Sequence, residues 1–154
     1  MLPHCQARKL YRGDILFSEG DIADEVVFVL NGSIHLYKDI SDLVPLPEKL
    51  IDEQSQAFNV PFARYGSSSF FGDEDCLMEL LNDKSSAKKL YRESTAEVVD
   101  DAELYVIKRR QLTDELNKFS GIKTQMVAAA YHKKEYHKTL INAILTRYSD
   151  PQEK

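Results

Sequence analysis

Two short stretches hold the residues that could do chemistry: Phe71-Gly72-Asp73-Glu74-Asp75-Cys76 and Arg92-Glu93-Ser94-Thr95. Carboxylates at 73–75 suit a helix start, where orphan amides and the positive end of the macrodipole face them. They predict a helix over about 73–81. A fixed guanidinium and the backbone donors of a helix start together suit one small anion. Arg92 offers the first, and the amides of residues 72–76 the second. Other readings stand beside this one. Arg92 also reads as a surface arginine paired with Glu93 or Asp73. Residues 73–75 also read as a capping cluster, and Ser94 and Thr95 as ordinary strand residues. Carboxylates so close to an anion repel it unless they point away.

Catalysis is not expected. His4, His35, His132 and His137 do not cluster with cysteines or acids at a metal spacing, no Ser-His-Asp grouping can be drawn, and there is no phosphate-binding P-loop. No metal site is predicted. The basic run His132, Lys133, Lys134, His137 and Lys138 reads as a solvated helix face, with an acidic partner surface as the alternative.

The 154 residues suit a single domain of ordinary globular composition, 43% hydrophobic and 29% charged. The net charge of −5 argues against nucleic acid as the main partner, because such binding rests on Lys and Arg neutralising phosphates. It leaves room for one small anion in a local positive site. No run approaches the roughly 20 apolar residues that span a bilayer, so no direct membrane insertion is expected. The polar start MLPHCQARK has no signal-peptide pattern, and two cysteines are too few for a disulfide framework. Both point to the cytoplasm.

Turn chemistry dominates the first quarter of the chain. Gly13-Asp14, Gly20-Asp21 and Asn31-Gly32 punctuate apolar runs at 15–17, 26–30 and 34–37. Asn-Gly between two such runs predicts a hairpin. A second hairpin is expected from strands at 94–99 and 103–107 around Asp100-Asp101. Residues 40–56 read as an exposed loop with a helical turn near 48–54, because Pro45 and Pro47 lack ladder donors. Residues 57–65 read as a strand interrupted by Pro61. A helical piece is expected from 85 or 86 to 91. Thr113 reads as the N-cap of a helix ending near Ser120-Gly121. A longer helix follows over 122–148, with Ile122, Met126, Ala129, Tyr136, Leu140, Ile144 and Tyr148 as its apolar stripe.

Taken together, these features resemble the cyclic nucleotide-binding domain family. The glycine-punctuated opening at 11–39, Phe71-Gly72-Asp73 and Arg92-Glu93-Ser94-Thr95 carry the likeness, which extends over about residues 9–148. The resemblance implies an α+β fold. It consists of an antiparallel β-roll, a jelly-roll-like barrel over about 9–107, with a short cassette helix and C-terminal hinge and lid helices over about 111–148. It implies cAMP or cGMP as ligand. Phe71, Gly72, Asp73, Glu74, Cys76, Arg92, Ser94 and Thr95 would line the site, with Arg92 on the phosphate and Asp73 on the ribose. Tyr131, Tyr136 or Leu140 would cover the base. Movement of the last helix would pass to an attached effector, with a membrane channel or transporter expected before a DNA-binding regulator. Two alternatives share the fold: a ligand-free interaction module, and a fragment of a cyclic nucleotide-dependent kinase regulatory region. The sequence departs from the family pattern in two ways. The spacing from Gly72 to Arg92 is about twice what the resemblance implies, and Asp73 is one methylene shorter than the family's glutamate.

Overall fold

The computed structural model describes residues 5–43, 58–77 and 89–149. Two long strands organise the sheet. β3 (Glu25–Asp39) and β6 (Thr95–Lys108) run antiparallel over their whole lengths, from Glu25 opposite Lys108 to Tyr37 opposite Thr95. Each changes its other neighbour halfway along. β1 (Gln6–Leu10) and β2 (Ile15–Phe17) flank the two halves of β6, while β4 (Asn59–Tyr65) and β5 (Phe70–Phe71) flank the two halves of β3. The result is the rolled antiparallel sheet that the resemblance implies.

The two expected hairpins are one feature of a different kind. Neither Asn31-Gly32 nor Asp100-Asp101 reverses the chain; both lie inside the long strands, where the register shifts between Val29 and Ile34. Gly32 does adopt a positive φ, +92°, but in a bulge. The extra residue flips the alternation of β3. Val27 and Val29 before it, and Ile34 and Leu36 after it, therefore all turn into the same core with Val98, Leu104 and Val106 of β6. A Cβ on Gly32 would overlap the Asp101 carbonyl and Ala102 on the facing strand. In β4, Pro61 sits where the register against β3 slips, a position that needs no donor. β1 is an addition, since QARKL shows no apolar alternation.

Three helices are described. α1 (Asp73–Cys76) is a single turn. α2 (Arg109–Leu116) starts four residues before the expected cap, so Thr113 lies inside it and its hydroxyl bonds back to the Arg109 carbonyl. α3 (Ser120–Ser149) begins at the Ser120-Gly121 pair expected to end the helix before it. Leu112, Leu116, Val127 and Ala130 join Val26 and Ile107 in a second apolar cluster that fixes both helices against the end of the β3–β6 pair. The continuation of α1 beyond residue 77, most of the helical piece expected to end at Tyr91, and the loop at 44–56 lie outside the described residues. Tyr91 itself is paired with Ile22 in an isolated bridge. Among the described residues no helix is long and apolar enough to cross a membrane.

Candidate functional site

α1 follows directly on β5, and Gly72 makes the corner with φ +89°. Arg92 arrives from the opposite side, just ahead of β6, so folding closes the long spacing between them. Its side chain is almost wholly buried, 2% exposed, and its guanidinium lies 4.1 Å above the Phe17 ring. Nη1 donates to the Gly72 carbonyl at 3.0 Å, Nη2 donates to the Glu25 carbonyl, and Nη1 stands 3.5 Å from Asp75 Oδ2. Gly72 permits this approach, because a Cβ there would meet Nη1 at 3.0 Å and the Glu25 carbonyl at 3.1 Å. Two of the amides are committed as well. Gly72 N–H donates to Glu74 Oε2 at 2.9 Å, and Asp75 N–H points to the Gly72 carbonyl at 3.4 Å. Both Nη groups of Arg92 and the Gly72 and Asp75 amides are therefore bonded within the cassette, while Arg92 Nε has no hydrogen-bond partner.

The acidic run faces α3. Lys133 Nζ lies 2.7 Å from Asp73 Oδ1 and 2.7 Å from the Phe70 carbonyl. Lys134 Nζ lies 3.7 Å from Asp75 Oδ1 and 3.1 Å from Glu93 Oε2. His137 Nε2 and Tyr65 Oη are 2.6 Å apart and share a hydrogen bond. Of the basic run expected on a solvated face, His132 and Lys138 are exposed, but Lys133, Lys134 and His137 turn inward. Lys133, Lys134 and His137 continue the inward stripe between Ala130 and Leu140, at helical spacing, because the surface they meet is acidic. Their positions leave Ile122, Ala129 and Tyr136 of the expected stripe exposed.

Burial, reinforced by the charges of Asp73 and Asp75, pushes Glu74 up to about 8. It therefore carries its proton at neutral pH. Burial, aided by Lys133, pushes His137 down to about 4, so its imidazole is neutral there. The 3.8 Å approach of His137 Nδ1 to Glu74 Oε1 is accordingly a contact between neutral groups, not an ion pair. Burial also raises Asp75, against the opposing pull of Arg92 and Lys134. The remaining Asp73 and Asp75 charges meet Lys133, Lys134 and Arg92. A run of three acids is tolerable here because one is protonated and the others have cations in reach.

Among the described residues, one small cavity lies against the cassette. The cavity enclosed by Phe62, Glu74, Asp75, Ser94, Lys134 and His137 holds about 40 Å³. That is enough for water and far below the few hundred Å³ of a small-molecule pocket. An open recess of about 280 Å³ beside Lys9, Asn31 and Asp101 has no cassette residue among its walls.

The structure brings Gly72, Asp73, Glu74, Cys76, Arg92 and Ser94 together, all buried. Phe71 is a core residue, stacked on Tyr65 at 5.1 Å. Cys76 is buried, its thiol pushed up to about 12 by that burial, and it reaches the Gly72 carbonyl at 3.2 Å. Thr95 accepts from the Glu19 amide at 3.0 Å and belongs to the strand. Tyr131 and Tyr136, expected to cover a base, are 51% and 60% exposed; Leu140 packs into the sheet core. Lys133, Lys134, His137 and Tyr65 were not among the expected site residues. Tyr65→Phe is expected to cost about 1–2 kcal/mol in denaturant unfolding, because it leaves a buried imidazole nitrogen unpaired while the ring stays on Phe71. A cost near zero would show that the His137 bond does not hold the helix.

The family model described as the cyclic nucleotide-binding domain matches residues 7–119. Among solved structures, the chain is similar to the Thermus thermophilus catabolite activator protein, with 20% identity, a TM-score of 0.62, and coverage of 93% of this chain and 55% of that one. It is similar to the c-di-GMP-responsive global regulator CLP of Xanthomonas campestris, with 17% identity, a TM-score of 0.59, and coverage of 88% and 56%. It is also similar to FixK2 of Bradyrhizobium japonicum, with 15% identity, a TM-score of 0.56, and coverage of 92% and 56%. The chain thus spans little more than half the length of these structures, and at such identities the likeness is one of fold. No curated protein matches the sequence at a significant level.

Proposed function

The chain belongs to the cyclic nucleotide-binding domain family, and we propose that it serves there as a non-catalytic regulatory module read out through α3, its cassette occupied by that helix in place of a cyclic nucleotide. One observation carries this reading. Arg92, the cassette's fixed cation, already donates to the Gly72 and Glu25 carbonyls and faces Asp75, while Asp73 and Asp75 are matched by lysines of α3. A phosphate would have to displace these partners and enter beside two carboxylates.

The output is the docking of α3. An attached or associated effector senses whether the helix is down or lifted, and any ligand shifts that balance only by its differential affinity for the two states. Among the similar structures, CLP is named as a global regulator linked to virulence gene expression and Bd1971 as an EAL enzyme. The channel or transporter expected from the sequence has no counterpart among them, so the effector is proposed only as one that reads a helix.

Sensing of cAMP or cGMP is the second reading. It is favoured by the meeting of Arg92 with Gly72 despite their long separation in sequence, and by the buried Nε of Arg92, which has no hydrogen-bond partner. Calorimetry separates the two. The expected result is no saturable heat with either nucleotide at millimolar concentration. Saturable binding to the unaltered chain would establish sensing and overturn the occupied-cassette reading.

A further inference from the structure

We propose that the cassette of this chain is a receptor for a primary alkylammonium group, with Lys133 as its resident occupant. The proposal rests on the reading that α3 fills the cassette and adds the chemical class of the ligand. Around Lys133 Nζ converge Asp73 Oδ1 at 2.7 Å, the Phe70 carbonyl at 2.7 Å, the Phe70 ring centroid at 3.9 Å and the Tyr65 ring centroid at 5.5 Å. A carboxylate, a carbonyl and two ring faces form a cage of electron-rich groups, which favours a cation. The carboxylate is built into the protein rather than presented on its surface. Asp73 is fully buried, and its second oxygen, Oδ2, has no hydrogen-bond partner.

Size and shape select the cation. Two oxygens at 2.7 Å with ring faces around them suit the compact, rotatable donors of an ammonium. A guanidinium would bring five donors in a plane, more than this cage can satisfy. A quaternary ammonium has no N–H for Asp73 or Phe70. The anion-binding chemistry expected from the sequence is thus inverted at this point of the cassette. A second primary ammonium, from a lysine of another protein segment or from a free amine, would compete with Lys133 and so release α3.

Lys133→Ala removes the atoms from Cγ to Nζ, and n-propylammonium replaces them. Thermal unfolding of the whole chain is the measurement. Lys133→Ala is expected to melt below the unaltered chain. Propylammonium chloride is expected to raise that midpoint saturably, by about 4 °C at ten times the dissociation constant. It should do so neither in the unaltered chain nor in the Asp73→Asn/Lys133→Ala double variant. Tetramethylammonium and guanidinium chloride at equal ionic strength should not substitute for it. Equal shifts in all variants, or equal rescue by tetramethylammonium, would overturn the proposal.

If Lys133→Ala does not fold, refolding it with and without propylammonium gives the same test, and no gain in folded protein overturns the idea. A peptide of the sequence 126–140 that rescues at lower concentration than spermidine assigns the competing ammonium to a protein segment, and the reverse order to a free polyamine. Titrating the unaltered chain with cyclic nucleotide keeps the two readings apart. Nucleotide binding there defeats the occupied cassette, whereas a silent titration without ammonium rescue defeats only the cage.

Discussion

Arg92→Ala is expected to destabilise the fold by about 3–5 kcal/mol, measured by urea or guanidinium unfolding at neutral pH. The side chain joins three segments of the chain: Phe17 in β2, Glu25 at the start of β3, and the cassette turn at Gly72 and Asp75. Truncation leaves two buried carbonyls without their donors and removes the nearest cation from a buried carboxylate. It also leaves a void under Phe17, which adds to the loss. Arg92→Lys keeps the charge but cannot reach both carbonyls with one ammonium, so it should recover only part of the stability. An arginine reserved for an incoming anion would behave differently. Its removal would relieve the burial of an unmatched charge and cost little, and a loss below about 1 kcal/mol would therefore count against the occupied cassette.

Glu74 should impose a pH dependence opposite to that of most carboxylates. Its ordinary value is 4.5 and burial, with Asp73 and Asp75, raises it to about 8 in the folded chain. Below pH 4.5 both states hold the proton. Between 4.5 and 8 only the folded state does, so this contribution to stability declines as pH rises through the window. His137 acts in the other direction. Its value falls from 6.5 to about 4, so its contribution is present above 6.5 and is lost as pH falls towards 4. The two oppose one another below pH 6.5, and Glu74 changes more above it. From pH 6.5 to 8 the unaltered chain is expected to lose about 1 kcal/mol by denaturant midpoint, the Glu74 loss being partly offset by the last of the His137 gain. Glu74→Gln, which mimics the protonated form, should flatten that interval. The groups facing Glu74 from α1, β4 and α3 are Asp73, Asp75, Tyr65, Lys133 and His137. An identical slope in the variant would assign the effect to one of them.

The scaffold was legible in the sequence because its signals are local. Glycines before aspartates, β-branched runs and a long helical C-terminus each report on their own neighbourhood, while the roll that joins them is what the family resemblance implies. Gly32 shows the limit of such signals. Asn-Gly reports a positive φ, but a bulge and a turn need the same angle, and only the facing strand decides between them. β1 was missed for a related reason: Gln6 to Leu10 has little alternation of its own, and its ladder is supplied by β6. The site on α3 is not legible in this way, because its inward stripe is charged where apolar residues are expected. Lys133 and Asp73 are 60 positions apart, so no window of sequence contains the pair. The remaining clue was global. The acidic run at 73–75 needs cations, and HKKEYHK is a basic segment on the long C-terminal helix.

The length of α3 gives its hold on the cassette a mechanical meaning. At about 1.5 Å per residue, its 30 residues make a rod of about 45 Å, and Lys133 sits about 20 Å from the end that joins α2. If that joint is the pivot, the cassette grips the rod a little short of its middle, Leu140, Ile141 and Ile144 hold it further out against the sheet core, and once those contacts part the far end travels about twice as far as the point at Lys133. A swing of about 3 Å, enough to pull an ammonium out of hydrogen-bonding range, would become about 6–7 Å at Ser149. The cassette would then be a short-stroke catch on a long arm, and the place to look for the signal would be the far tip of the helix.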